Sequence, residues 1–130
     1  HDLREKVPGI TVKGIDVSEY AISHAIDDMK PFVMVADARK LPFQDRSYDV
    51  VISINTIHNL DRDDCAQALR EIERVSRGKS FVTVDAYRND EERAAMEAWN
   101  LTAKTMMHVD DWKKFFKEAG YTGDYYWFIP

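Results

Sequence analysis

Apolar runs of strand length alternate with helical stripes along the chain. Residues 10–15 form the first run, which ends on Asp16. Ser18 follows as an N-cap, and Ile22, Ala25, Ile26 and Met29 recur at i, i+3, i+4 and i+7, predicting a helix that Pro31 stops. Residues 32–36 read as a second strand ending at Asp37, and 49–54 as a third. The third is almost continuously apolar and β-branched, as expected of a strand buried on both faces. Asp61 or Asp63 can cap the next helix, with Ala66, Leu69, Ile72 and Val75 on its inner side and Gly78 at its end. Residues 81–84 make a fourth strand. Asn89 caps a long helix to about Thr105, and Glu91 and Glu92 suit its positive end. Trp112, Phe115, Phe116 and Ala119 mark a last helix closed by Gly120, and 125–129 a last strand. Alternation of this kind predicts a three-layer α/β domain around a mostly parallel, doubly wound sheet.

One connection departs from the rhythm. About ten residues with Pro42 in their middle separate Asp37 from Tyr48, too few for a crossover helix. An extended segment of that length reaches about 30 Å, and three strand spacings need only about 15 Å. The chain can therefore cross two strands and enter the sheet beyond them, which predicts a reversal of strand order. Such reversals are where open α/β sheets bind ligands. An acid at a strand end followed at once by a helix, as at Asp16, is placed to accept from both hydroxyls of a ribose.

The 130 residues fit one domain, and 45% hydrophobic with 12% aromatic content supplies a core. A net charge of −5 argues against a nucleic-acid partner, because phosphate contacts need clustered Lys and Arg. The one basic stripe, Arg70, Arg74 and Arg77, is interleaved with Glu71 and Glu73 and reads as a solvated helix face. Cys65 stands alone, so the chain has no internal disulfide and no zinc spacing, which suits a cytoplasmic protein. No run of about 18 apolar residues exists, so no membrane span is expected.

At this point the residues resemble a known family. Gly14-Ile15-Asp16, then Asp37 with Leu41-Pro42-Phe43, then Ser47-Tyr48-Asp49-Val50-Val51, and finally Asp110-Asp111-Trp112 opening the last helix are similar to class I S-adenosylmethionine-dependent methyltransferases. The resemblance spans nearly the whole chain. It implies that Asp16 holds the ribose hydroxyls, that Val17 lies beside the adenine, and that Asp37 and the Ala38 N–H meet the adenine edge. It also implies that Asn55 and Thr56 sit near the methionine part of the cofactor. It places the family's first strand and glycine loop upstream of His1, with residues 1–6 as the tail of the helix after that loop. It places a further strand after Pro130, so a longer parent protein is expected. A sheet missing both strands would leave backbone groups unpaired.

Other readings stay beside these. Asp16 would equally cap the helix opening at Ser18, and Asp37 would serve as a turn acid. His58 is the candidate catalytic base, since its ordinary pKa of about 6.5 suits proton removal; otherwise it hydrogen-bonds near the strand end. Asp85 ends the fourth strand in a site role or a packing one, and His108 reads as part of a helix start. Tyr87, Met96, Trp99, Met106 and Met107 line an acceptor pocket or merely pack a helix on the sheet. The leading function is methyl transfer from S-adenosylmethionine to a small molecule, without a metal, with a homodimer as the possible assembly. An NAD(P)-dependent oxidoreductase and a noncatalytic Rossmann-like remnant are the alternatives.

Overall fold

A computed structural model describes residues 2–129. It divides into two compact units, His1–Pro42 and Phe43–Pro130.

The first unit holds helix α1 (Asp2–Lys6), strand β1 (Gly14–Asp16), helix α2 (Glu19–Ser23) and strand β2 (Val33–Val35). β1 and β2 run parallel, with Asp16 level with Val35. β1 is shorter than the apolar run predicts, because β2 offers a ladder of only three residues. Ser18 caps α2 as expected, its Oγ accepting from the Ala21 N–H. The helix nevertheless stops at Ser23 instead of running to Met29. It buries no side chain, and a short helix without a packed face has little to hold it. Of its stripe only Met29 is buried. Pro31 opens a short 3₁₀ turn, and the Arg4 guanidinium lies 4.0 Å from the Phe32 ring centroid.

The second unit carries strand β3 (Val51–Ile54), helix α3 (Arg62–Val75), strand β4 (Ser80–Tyr87), helix α4 (Asp90–Trp99), strand β5 (Met107–His108), helix α5 (Val109–Glu118) and strand β6 (Asp124–Phe128). β4 is its axis. β3 pairs with residues 80–83, β5 with 86–87 and β6 with 81–85, all in parallel. Residues 81–83 of β4 thus have a ladder partner on each side, β3 and β6. β3 departs from expectation: Ile52 and Ile54 are 50% and 52% exposed, and Val50 just before it is 55% exposed. Among the described residues its ladder is to β4.

The core lies between β4 and the helices. α3 contributes Cys65, Ala68, Leu69, Ile72 and Val75, while Ala66 is only half-buried. α5 contributes Trp112, Phe115 and Phe116, and Gly120, with φ of 75°, turns the chain out of it in the left-handed region that favours glycine. α4 is capped by Asn89 as predicted but ends at Trp99 rather than near Thr105. The Asn100 side chain brackets Ala103, accepting from its N–H and donating to its carbonyl, and so closes a turn. No described helix is long and apolar enough to cross a membrane.

Candidate functional site

In the first unit the two predicted carboxylates stand at neighbouring strand ends. Asp16 ends β1, and Asp37 follows β2 by two residues at the same C-terminal edge of the parallel pair. The Ala36 N–H donates to the Asp16 carbonyl and ties the two ends together. Asp16 Oδ1 accepts from the Ser18 N–H at 2.8 Å, which aims the chain into α2. Its Oδ2 has no partner among the described residues. Asp16 thus serves the turn through one oxygen and leaves the other open. Val17 beside it is 72% exposed.

Asp37 is more constrained. Its Oδ1 accepts from the Arg39 N–H at 2.8 Å, and its Oδ2 accepts from Arg39 Nη2 at 2.6 Å. Hydrogen bonding from the Arg39 side chain, and then from its backbone, holds the Asp37 carboxyl below the usual carboxylate range. The Lys40 N–H closes the turn on the Asp37 carbonyl at 3.0 Å. Ala38, in the bend, is half-buried, and its N–H takes no acceptor among the described residues. Arg39 is a contact that strand and helix periodicity does not signal.

In the second unit Asn55 leaves β3 with φ of 50°, a left-handed conformation that asparagine tolerates better than most residues. Its N–H donates to the Thr83 carbonyl and to Thr83 Oγ1, and Thr83 Oγ1 donates back to Asn55 Oδ1 at 2.8 Å. Thr56 follows, its hydroxyl donating to the Ile54 carbonyl. A 3₁₀ turn, Ile57–Asn59, then carries His58 inward.

His58 is buried, and its surroundings bear on its role. The Asp85 N–H donates to Nδ1 at 3.2 Å, which leaves the ring proton on Nε2, 3.7 Å from the Asp85 carboxylate. In this arrangement neither nitrogen is open to a substrate's proton. The His58 carbonyl accepts from the Lys104 and Thr105 N–H groups, and the Asp85 carbonyl accepts from Trp112 Nε1. The imidazole therefore sits inside a web joining β4, α5 and the segment after α4. Sequence spacing gives no sign of this, since His58 and Asp85 are 27 residues apart.

Burial lowers the His58 pKa, outweighing the opposing pull of Asp85. The unfolded chain consequently binds this proton more readily than the folded one. The stability that depends on a neutral His58 is present above about pH 6.5 and is lost as pH falls below that ordinary histidine value. Urea unfolding across that range should show a steeper loss in the wild type than in His58→Gln. Equal slopes would place the acid sensitivity elsewhere.

The five residues weighed as an acceptor pocket differ in burial. Met96 and Met107 are in the core, Tyr87 and Met106 are half-buried, and Trp99 is 56% exposed against Phe128. A cleft of about 480 Å³ runs instead along β6, lined by Arg88 and residues 125–129. None of the candidate site residues lines it. Among the described residues no cluster of His, Cys, Asp and Glu has the arrangement of a metal site. His108 caps α5, its Nδ1 accepting from the Asp110 N–H at 3.1 Å.

Comparison with known proteins places this geometry. Residues 2–84 match the family described as methyltransferase domain. The chain is 32% identical over 128 residues to methyltransferase GfsG of Streptomyces halstedii, covering 86% of this chain and 45% of that protein. It is 29% identical over 126 residues to an uncharacterized protein of Haemophilus influenzae, covering 87% and 50%. The chain thus spans about half the length of these curated relatives.

Among solved structures it superposes on a chain of the complex between the Haloferax volcanii Trm112 methyltransferase activator and the protein assigned there as a methyltransferase. The TM-score is 0.70 at 24% identity, over 92% of this chain and 54% of that one. On the YcgJ protein of Bacillus subtilis the TM-score is 0.65 at 18% identity, over 82% and 50%. These two likenesses carry the fold, a Rossmann-like sheet with helical layers that is incomplete here. With paired acids at the strand ends, this fold and the family match over most of its length, the chain belongs to the methyltransferase domain family.

Proposed function

We propose that the protein transfers a methyl group from S-adenosylmethionine to a small-molecule acceptor. The observation that carries this reading is the pair Asp16 and Asp37 at the C-terminal ends of adjacent parallel strands. Such ends are where α/β sheets take nucleoside ligands. Asp16 suits the ribose hydroxyls, because one carboxylate oxygen is fixed by Ser18 and the other is open. Val17 offers an exposed apolar surface for a purine, and Asp37 and the Ala38 N–H offer an acceptor and a donor for its edge. The family resemblance assigns Asn55 and Thr56 to the methionine end.

When bound, S-adenosylmethionine supplies a methyl group already activated on a sulfonium. What remains for the chain is to orient the reactants and exclude water. We assign His58 to holding the strand ends rather than to removing a proton, because Asp85 occupies its lone pair.

A small acceptor is supported by the charge distribution. The net charge is −5. Arg74 in α3 is tied to Glu71 and Asp45, and Arg77 beyond its end to Asp49, so the basic stripe is not an open phosphate-binding surface.

Calorimetric titration of the full-length protein tests the reading. S-adenosylhomocysteine is expected to bind saturably and NADH not to bind. Binding of NADH alone would turn the assignment to an oxidoreductase, and binding of neither would leave a noncatalytic module.

A further inference from the structure

We infer that Thr83 is a positioning residue that fixes the Asn55 side chain with its amide NH₂ facing outward to meet the bound cofactor. The inference rests on the reading of Asn55 as a cofactor-contacting residue. Asn55 is exposed at the end of β3, where nothing in its own strand holds it. Thr83 is buried in β4, level with Ile54 across the ladder. Its hydroxyl makes two bonds to the one asparagine, accepting from the backbone N–H at 2.9 Å and donating to Oδ1 at 2.8 Å.

The two bonds together have a direction. With the Asn55 N–H pointing at the Thr83 oxygen, the hydroxyl proton is free to point at the amide oxygen. Oδ1 is then turned inward, and Nδ2, with no partner among the described residues, is turned away from β4. An amide so held presents a donor to an acceptor oxygen without first losing rotamer freedom. The backbone supports the same arrangement. A left-handed Asn55 costs free energy, and such strain persists where surrounding bonds over-determine it, as the Thr83 carbonyl and hydroxyl do here. Among strand residues Thr83 reads as one more β-branched side chain, which is why its role is hidden in the sequence.

The test uses the full-length protein with Thr83→Val, which keeps the shape and removes the hydroxyl, and Thr83→Ser, which keeps the hydroxyl. Thr83→Ala replaces the valine variant if that one does not fold. Nuclear magnetic resonance relaxation of the Asn55 side-chain NH₂ is the primary readout. It is expected to be rigid in the wild type and in Thr83→Ser, and mobile in Thr83→Val. S-adenosylhomocysteine should bind about tenfold more weakly to Thr83→Val, the scale of one lost hydrogen bond to a fixed polar group. The serine variant should restore affinity. In an Asn55→Gly background, which keeps the left-handed backbone but has no amide, Thr83→Val should cause no further loss. An NH₂ equally rigid in Thr83→Val, or an undiminished loss in the glycine background, overturns the inference. If the wild type itself fails to bind S-adenosylhomocysteine, the cofactor reading falls, and with it the use given to the amide. The relaxation data then still decide whether Thr83 holds Asn55.

Discussion

Trp112→Ala is expected to remove most of the stability of the second unit. Trp112 is fully buried and packs with Phe115 and Phe116 at ring-centroid distances of 5.7 and 5.5 Å. Truncating a buried aromatic costs about 3–5 kcal/mol, since the surroundings collapse only partly into the space left behind. The indole also donates to the Asp85 carbonyl at 3.0 Å, and a buried acceptor left without its donor costs about 1–3 kcal/mol. A domain's whole stability is about 5–15 kcal/mol, so this one change approaches the total. Trp99→Ala is the matched control. The residue is 56% exposed, and its truncation should cost no more than about 1 kcal/mol. Urea unfolding followed by circular dichroism reads both variants. A Trp112→Ala midpoint close to that of Trp99→Ala would show that the core does not depend on this ring.

The second large effect concerns ligand binding. Asp16→Asn is expected to weaken S-adenosylhomocysteine binding about a hundredfold while leaving the melting temperature nearly unchanged. Asparagine keeps an oxygen to accept from the Ser18 N–H, so the turn into α2 survives. It loses the charge and the second acceptor, which the ribose reading requires. Ser18→Ala runs the opposite way. It removes the α2 cap, costing about 1 kcal/mol of local stability, and should leave affinity within about twofold. If Asp16→Asn binds as tightly as the wild type, Asp16 is a turn residue and nothing more.

The two residues differ in how openly the sequence displays them. Trp112, Phe115, Phe116 and Gly120 are legible because an aromatic stripe at helical spacing with a glycine stop fits a packed helix and little else. Asp16 and Asp37 are legible as strand ends, since each apolar run breaks on an acid. The length of α2 is not, because its stripe finds no cover and periodicity cannot report that. Nor is the end of α4, where no glycine or proline marks the stop and the Asn100 side chain turns the chain instead. β5 is two residues long and exists only as a ladder to the last two residues of β4. The surroundings of His58 cannot be read from the sequence at all. Its Asp85 and Lys104 partners come from distant segments, and local patterning carries no information about such pairings.

β4 has one property whose reach exceeds its length. Thr83 and Asp85 are two positions apart, so the pleat turns both toward the same side of the strand. The Thr83 hydroxyl that holds Asn55 and the Asp85 carboxylate that faces the His58 ring therefore travel as a pair. Inserting or deleting a single residue upstream in β4 would swing both to the opposite face at once, where neither partner waits. The fold thus fixes the count of residues between the entry of this strand and Asp85.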